Sequence, residues 1–292
     1  MIDLGVATCK VLPEPDPDAA LLAEALADHG IRYQMLAWDD PCVDWSQCKL
    51  VLVRSTWNYI LNRRAFVDWG HRVEAVTTLL NSADTIEWNT HKRYLAKLEQ
   101  LGVATVPTEF FERNSSKPPH LESILEQRNW NAVVIKPAIS AGSYLTYKMS
   151  RATLDQELFA RLLSERDMMI QPFVESVNTY GERSLVHIGG TLTHAIRKSP
   201  RFDDDSETIE GPFPIIDAER TLAAAALSAA AKSIGVHTND FTYARVDLAK
   251  DSNGNPMLME LELTEPSLFF AQSPIALEKL CKLLNTATIN RS

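Results

Sequence analysis

The run Cys48-Lys49-Leu50-Val51-Leu52-Val53, followed by Arg54-Ser55-Thr56, is apolar at consecutive positions rather than at every second one. A strand covered on both faces reads that way. The preceding segments fit the same plan. "DLGVATC" is a short buried strand, and "IRYQMLAW" is a second one. Between them "DPDAALLAEALADHG" is a helix that Asp18 can cap and Gly30 can end. Strands alternating with helices predict an α/β region built on a doubly wound parallel sheet. In such sheets ligands bind beyond the carboxyl ends of the strands. Two of those ends are polar here: Thr8, and the segment Arg54-Ser55-Thr56-Trp57-Asn58-Tyr59.

Downstream, "RRAFVDWGHRVEAVTTLL" reads as a helix, followed by a short segment through Asn81 and Ser82. "NTHKRYLAKLEQLGV" reads as another, capped at Asn89 or Thr90 and ended by Gly102. "VPTEFFE" is a short strand, and "RNSSKPPH" is a polar, proline-bearing loop. A helix then leads into "NAVVIKPAISAGSYLTYKMS", read as strand, loop from Pro137 to Ser143, and strand. "ATLDQELFARLLSER" is a helix and "DMMIQPFVES" a strand. The last third changes character. "GERSLVHIGGTLTHAIRKSP" is an antiparallel hairpin turning at Gly189-Gly190. "RFDDDSETIEGPFPI" is an acidic loop, expected to be mobile, and "AERTLAAAALSAAAKSIGV" is a helix. "TYARVDLAKDSNGNPMLMELEL" is two strands around a turn at Asn253-Gly254.

Composition closes off several functions. The net charge of -9 and pI near 5.3 argue against a nucleic-acid footprint and against an anionic membrane surface as partner. Cys9, Cys42, Cys48 and Cys281 form no C-x-x-C pair and no zinc-type spacing with histidine, so a reduced, cytoplasmic protein is expected. The N-terminus lacks a basic segment followed by a long apolar core, so no signal peptide is read there.

The chemistry-bearing residues start with the final hairpin. Arg245 and Asp247 share a face of one strand, and Glu260 and Glu262 share a face of the next, about 7 Å apart. Carboxylates converging on adjacent strands repel one another. A cation resolves that conflict, and all-oxygen ligation favours Mg²⁺, Mn²⁺ or Ca²⁺ over zinc. A solvated face of an edge hairpin is an equal alternative from the hairpin alone. In "VVIKPAISAGS", Lys136 ends a strand and precedes a loop of small residues, Ser140 to Ser143, whose backbone N–H groups can approach phosphate oxygens. It is not a P-loop. In "MMIQPFVES" the proline stops ladder pairing, which leaves backbone groups for a flat heterocycle and Phe173 and Val174 as cover. Taken in isolation, a plain proline bend is the better reading. Lys92 and Lys198 add cations, and no G-x-S-x-G suggests a hydrolase.

Taken in order, these pieces resemble the ATP-grasp superfamily. "WNTHKRYL", "YARVDL" and "LMELELTEPSLF" carry a likeness to the branch that holds the cyclo-ligase of cycloserine biosynthesis and related glutathione-synthetase-like proteins. The resemblance implies an N-terminal Rossmann-like sheet and two α+β lobes enclosing ATP. The expected divisions are 1–88 for the substrate-binding unit, 89–175 for the small lobe and 176–292 for the large lobe. It implies Lys92 and Lys136 at the nucleotide phosphates, Ser140, Ala141, Gly142 and Ser143 as the closing loop, and Gln171, Phe173 and Val174 as the adenine hinge. Glu182 would lie beside the nucleotide, Lys198 would face the γ-phosphate, and Asp247, Glu260 and Glu262 would hold Mg²⁺ or Mn²⁺. Many members have Asn where this chain has Glu262, a departure that adds negative charge to the set.

The implied chemistry is activation of a small amino-acid-like carboxylate as an acylphosphate, then attack by a nitrogen nucleophile. Arg245 and Lys198 would be the catalytic cations. The nitrogen belongs either to the same molecule, giving a ring, or to a second one; a kinase or a non-catalytic nucleotide-binding module on the same fold are rival readings. Thr8, Arg54, Thr56, Asn58 and Tyr59 are the expected substrate residues of the N-terminal sheet, with Arg54 pairing a substrate carboxylate. Thr264, Glu265 and Ser267 would read an amino group. Family members are often dimers or tetramers, so a homo-oligomer is expected.

Overall fold

The double covering read into "CKLVLV" organises the first sheet of the computed structural model, which describes residues 2–113, 119–199 and 208–289. The elements are β1 (Ile2–Thr8), α1 (Ala19–Asp28), β2 (Tyr33–Ala37), β3 (Cys48–Val53), α2 (Arg63–Glu74) and β4 (Thr78–Leu80). The strands are parallel in the order β2-β1-β3-β4. On one face Leu50 and Leu52 of β3 pack with Leu22 and Leu26 of α1. On the other, Val51 and Val53 pack with Trp38, Trp45, Phe66 and Trp69.

Three sequence expectations are corrected here. The helix read through "VTTLL" stops at Glu74, and Thr78–Leu80 pairs with Leu50–Leu52 as a fourth strand. Thr77 fixes that change of direction by donating its hydroxyl to the Cys48 and Lys49 carbonyls at 2.7 and 3.0 Å. The helix read from Asn89 or Thr90 starts only at Tyr94, as α4 (Tyr94–Gln100), and a separate helix, α3 (Ala83–Asn89), capped by the Ser82 hydroxyl, ends where it was expected to begin. Asp18 precedes α1 but makes no side-chain cap hydrogen bond to it.

A second sheet, antiparallel, has the order β5-β8-β6-β7. It is built from β5 (Glu109–Phe111), α5 (Leu121–Arg128), β6 (Ala132–Pro137), β7 (Tyr147–Ser150), α6 (Gln156–Glu165) and β8 (Met168–Pro172). Val133, Ile135, Phe159, Leu162 and Ile170 form its core.

The third sheet runs β11-β10-β9-β12-β13, antiparallel throughout. Its strands are β9 (Glu182–Ile188), β10 (Thr191–Lys198), β11 (Ile209–Glu210), β12 (Tyr243–Lys250) and β13 (Pro256–Glu262). Two helices accompany them: α7 (Asp217–Ile234) follows β11, and α8 (Pro274–Ile289) follows β13. Gly189 and Gly190 turn the first hairpin with φ of +54° and +72°, values that favour glycine at both positions. Ala223, Ala226 and Ala230 of α7 are fully buried, so the helix packs onto the sheet through small side chains. Part of the segment read as an acidic loop is the short strand β11, paired to β10. Residues 201–207 of that loop and 114–118 of the proline-bearing loop lie outside the described residues. The helix α8 was not anticipated; its Leu277, Leu280 and Leu284 complete the core beneath the first sheet. No helix among the described residues is long and apolar enough to cross a membrane.

Candidate active site

The register of β12 and β13 sets Arg245 opposite Glu262 and Asp247 opposite Glu260. A bulge lies between Asp247 and Leu248, where the partner strand steps from Glu260 to Leu258. The extra residue, Met259, changes which side chains share a face. Leu258 and Leu261 both enter the core under α7, although strict alternation would separate them. Met259, Glu260 and Glu262 all reach one cavity. The bulge therefore turns Leu258 into the core and puts Met259 on the cavity side beside the carboxylates.

β13 is an edge strand, and side chains satisfy its free backbone groups. The Leu261 N–H donates to the Tyr94 hydroxyl at 3.0 Å, and Asn89 Nδ2 donates to the Leu261 carbonyl at 2.8 Å. Asn89 Oδ1 accepts from the Leu263 N–H at 2.7 Å. Asn81 Nδ2 donates to the Leu263 and Tyr243 carbonyls, and its Oδ1 accepts from the Thr242 N–H. Unpaired buried backbone groups are costly, so these amides fix where the strand lies. The carboxylates are thereby held by backbone that cannot slide.

The cavity has a volume of about 870 Å³ and lies between the three sheets. The second sheet contributes Lys136, the loop residues Ser140 to Ser143, and Gln171, Phe173 and Val174. Lys148 Nζ stands 3.5 Å from the centre of the Phe173 ring, and Gln171 Nε2 donates to the Thr108 hydroxyl at 3.0 Å. Lys92 reaches in from the segment between α3 and α4, where its ammonium donates to the Ser140 carbonyl at 2.8 Å and pairs with Glu260. Glu182, Lys198, Arg245, Asp247, Glu260 and Glu262 make up the third-sheet wall. The structure thus gathers the expected nucleotide, metal and cationic residues around one space.

Their charges are interlocked. Arg245 Nη2 donates to Asp247 at 2.8 Å and also pairs with Glu262. Lys198 Nζ stands 3.0 Å from Asp247 Oδ2 and pairs with Glu182. Burial raises the Glu262 carboxyl to about 8; Arg245 draws it down, while Asp247 and Glu260 push it up. Glu182 is raised above the usual carboxylate range, by burial first, with Lys198 opposing. Burial lowers the Lys136 ammonium, with Glu260 opposing. Asp247 titrates below the usual range because the charges and hydrogen bonds of Arg245 and Lys198 outweigh its burial. All the candidate metal donors are oxygens, which suits a hard divalent cation. A cation beside Glu262 would draw its raised carboxyl back down, so further positive charge would be stabilised there. The residues present therefore fit Mg²⁺ with a polyphosphate.

On the substrate side the structure corrects several expectations. Asn58, Glu265 and Ser267 line the cavity, but Thr8, Arg54, Thr56, Tyr59 and Thr264 do not. Arg54 is 2% exposed; Nη2 meets Asp18 Oδ2 at 3.1 Å and Nη1 donates to the Pro266 carbonyl at 2.8 Å. It has no free prong for a ligand. Thr8 shares a 3.0 Å hydrogen bond with the Ser55 hydroxyl, Thr56 is fully buried, and Thr264 faces Asn89. Tyr59 is buried, its hydroxyl donating towards Glu265. Asn58 reaches the wall with its amide committed to Asp39 and Trp38. Sequence reasoning passed over Trp57, whose indole N–H donates to the Glu265 carbonyl at 3.0 Å, and Phe269, whose ring lies 5.4 Å from the Arg245 guanidinium carbon. Both stood inside quoted motifs; nothing local marked them as more than core aromatics.

Comparison with known proteins decides the family. The domain family described as D-cycloserine synthetase DcsG, N-terminal domain, matches residues 4–81. The cycloserine biosynthesis protein DcsG of Streptomyces lavendulae is 33% identical over 276 residues, 91% of this chain and 92% of its own. The chain belongs to the DcsG family of ATP-grasp ligases. The crystal structure of D-cycloserine synthetase DcsG superposes with a TM-score of 0.86 at 30% identity, covering 98% of this chain and 99% of that one. Two more distant structures share the fold. The D-alanine–D-alanine ligase of Bacillus anthracis gives 0.69 at 14% identity, over 99% of this chain and 98% of that one. The ATP-grasp ligase PsnB, complexed with a minimal precursor, Mg and ADP, gives 0.63 at 17%, over 99% and 100%. The chain is accordingly an ATP-dependent ligase of the class that forms carbon–nitrogen bonds.

Proposed function

We propose that this ligase uses ATP and Mg²⁺ to activate the carboxylate of a small amino-acid-like molecule as an acylphosphate, and that a nitrogen of the same molecule then attacks it and closes a ring. One observation favours ring closure over joining two amino acids. Among the described residues, the cations lining the cavity, Lys92, Lys136, Lys198 and Arg245, belong to the nucleotide end. The described residues of the opposite wall include Glu14, Trp57, Asn58, Glu265 and Ser267, and Arg54 is sealed behind them. An amino acid acting as external nucleophile brings a second carboxylate, which calls for a fork such as a free arginine. Among its described residues this wall offers none, and its carboxylates suit an ammonium.

Asp247, Glu260 and Glu262 would hold Mg²⁺, or Mn²⁺, which when bound neutralises charge on the transferring phosphoryl. Lys92, Lys136 and the backbone of Ser140 to Ser143 bind the phosphates, while Gln171, Phe173 and Val174 frame the base. Lys198 and Arg245 orient the γ-phosphoryl against the substrate carboxylate, whose oxygen forms the new P–O bond as ADP leaves. Arg245 then faces the tetrahedral centre made when nitrogen attacks the acyl carbon. That nitrogen loses a proton, phosphate departs, and the ring C–N bond remains. Glu265 holds the substrate ammonium. We retain 1–88, 89–175 and 176–292 as the working division of the chain.

The test is ADP release with ureido- or aminooxy-bearing amino acids, with and without ammonia, simple amines or a second amino acid, and mass analysis of the product. Turnover with one ureido-type substrate alone, giving a cyclic product, is expected. ADP release that requires an added amine, with a product joining both molecules, would overturn ring closure.

A further inference from the structure

The sealed pair Asp18–Arg54 grips one short turn. Asp18 Oδ2 accepts from the Leu268 N–H at 2.6 Å, and Oδ1 accepts from the Phe270 N–H at 2.9 Å. Arg54 Nη1 takes the Pro266 carbonyl of the same turn, and Nη2 pairs with Asp18. All of this is buried: the side chains of Asp18 and Arg54 are each 1% exposed. Between the two gripped N–H groups sits Phe269, a non-glycine residue at φ +54° and ψ +48°. That left-handed conformation costs energy for a residue with a side chain. Its consequence is that the N–H groups on either side converge on one anion, forming a nest. Here the anion is the Asp18 carboxylate.

The turn in its turn touches Arg245. The Ser267 carbonyl accepts from Arg245 Nη1 at 3.2 Å, and the Phe269 ring lies beneath the guanidinium with 5.4 Å from its carbon to the ring centre. The remaining Arg245 donors go to Asp247 and Glu262. A guanidinium held on one side by carboxylates that must also serve a metal needs an independent support on the other side. The turn supplies it, through an accepting carbonyl and a π face.

We propose that Asp18 and Arg54 are positioning residues for Arg245: they lock the 266–270 turn so that the Ser267 carbonyl and the Phe269 ring fix the guanidinium over the reacting carboxylate. The proposal rests on the role given above to Arg245. It assigns the N-terminal sheet a part in phosphoryl transfer although neither residue reaches the cavity.

The test uses the full chain, assayed below the melting transition of every variant. The readouts are kcat and KM from ADP release, and ATP affinity from titration with a fluorescent nucleotide. Arg245→Lys is the reference and is expected to lower kcat at least tenfold. Asp18→Asn and Phe269→Leu are each expected to lower kcat about tenfold, with ATP affinity within twofold of wild type. The double variant should fall no further than the worse single one, because both act through the same guanidinium. Phe269→Leu keeps apolar bulk and leaves Asp18 untouched, so it decides alone if Asp18→Asn does not fold. Unchanged kcat in Phe269→Leu, or losses that multiply in the double variant, overturn the proposal while Arg245→Lys remains impaired. An undiminished Arg245→Lys overturns the role of Arg245 itself, and the positioning proposal with it.

Discussion

Two of the regions where this protein buries charge do it differently. At the N-terminal sheet Asp18 and Arg54 form a one-to-one pair, with the carboxylate further satisfied by two backbone N–H groups and the guanidinium by a carbonyl. Arg54 Nε is left without a partner, but neither residue lines the cavity. Around the cavity, the cations Lys92, Lys136, Lys198 and Arg245 face Glu14, Glu182, Asp247, Glu260, Glu262 and Glu265. Among the described residues there the carboxylates outnumber the cations, and burial, set against the nearby cations, holds Glu182, Glu262 and Glu265 above the usual carboxylate range. A balanced buried pair is part of the framework; an unbalanced cluster opening on a cavity is a receptor for charge. The two should therefore fail in different ways.

The largest effect should come from the unbalanced side. Glu260→Gln removes a negative oxygen from the proposed metal set, and turnover by ADP release should fall about 10²–10³-fold. Its melting temperature should fall by only a few degrees: Lys92 and Lys136, which hold the Glu260 carboxylate below its usual range, lose that partner but still face the other cavity carboxylates. On the balanced side Asp18→Ala should cost more stability. It strands Arg54 in the core at a cost of about 3–5 kcal/mol, or roughly a 10 °C drop in melting temperature by calorimetry. If Glu260→Gln destabilised as much as Asp18→Ala, the distinction between framework and receptor would be wrong.

The same distinction explains what local sequence could and could not say. The β12–β13 hairpin was legible because its signals are short-range: alternation, an Asn-Gly turn, and paired carboxylates. The Met259 bulge was not, since one inserted residue leaves no compositional trace. Asp18 and Asn89 were read as helix caps because Asp and Asn are cap residues. Their actual partners, the Phe270 and Leu263 N–H groups, lie 252 and 174 residues away in sequence. Arg54 was read as a substrate clamp because polar ends of parallel strands face ligands. Its partner Asp18 consumes it, and that pairing exists only once α1 has packed. Long-range satisfaction of buried polar groups is what the one-dimensional pattern lacked.

A third way to bury a titratable group is to keep it neutral. His187, on β9, is held down to about 4, by burial first and by the charge of Arg220; the Leu185 backbone opposes. The unfolded chain binds a proton there near pH 6.5, so stability is complete above that value and falls as pH drops towards 4. The loss should reach about 3 kcal/mol. Urea unfolding between pH 4 and 7.5 should show this slope, and His187→Leu should flatten it. An unchanged slope would place the acid sensitivity in the cavity carboxylates instead.

The smallest effect tests the seam between the two regions. Tyr59 belongs to the framework by burial, yet its hydroxyl donates towards Glu265, which lines the cavity. Burial lifts Glu265 to about 7, and Lys92 and Tyr59 draw it down. A carboxylate that holds a substrate ammonium must be ionised, so KM for that substrate should rise as pH falls through 7. Tyr59→Phe removes one donor to the ionised form, worth about 1 kcal/mol. The limb of the KM profile should then move to higher pH, with KM about threefold higher at pH 7 and ATP affinity untouched. At pH 9 both proteins carry an ionised Glu265, so their KM values should converge. A difference that persists at pH 9 would mean that Tyr59 shapes the wall rather than tuning the charge, and the seam would belong wholly to the framework.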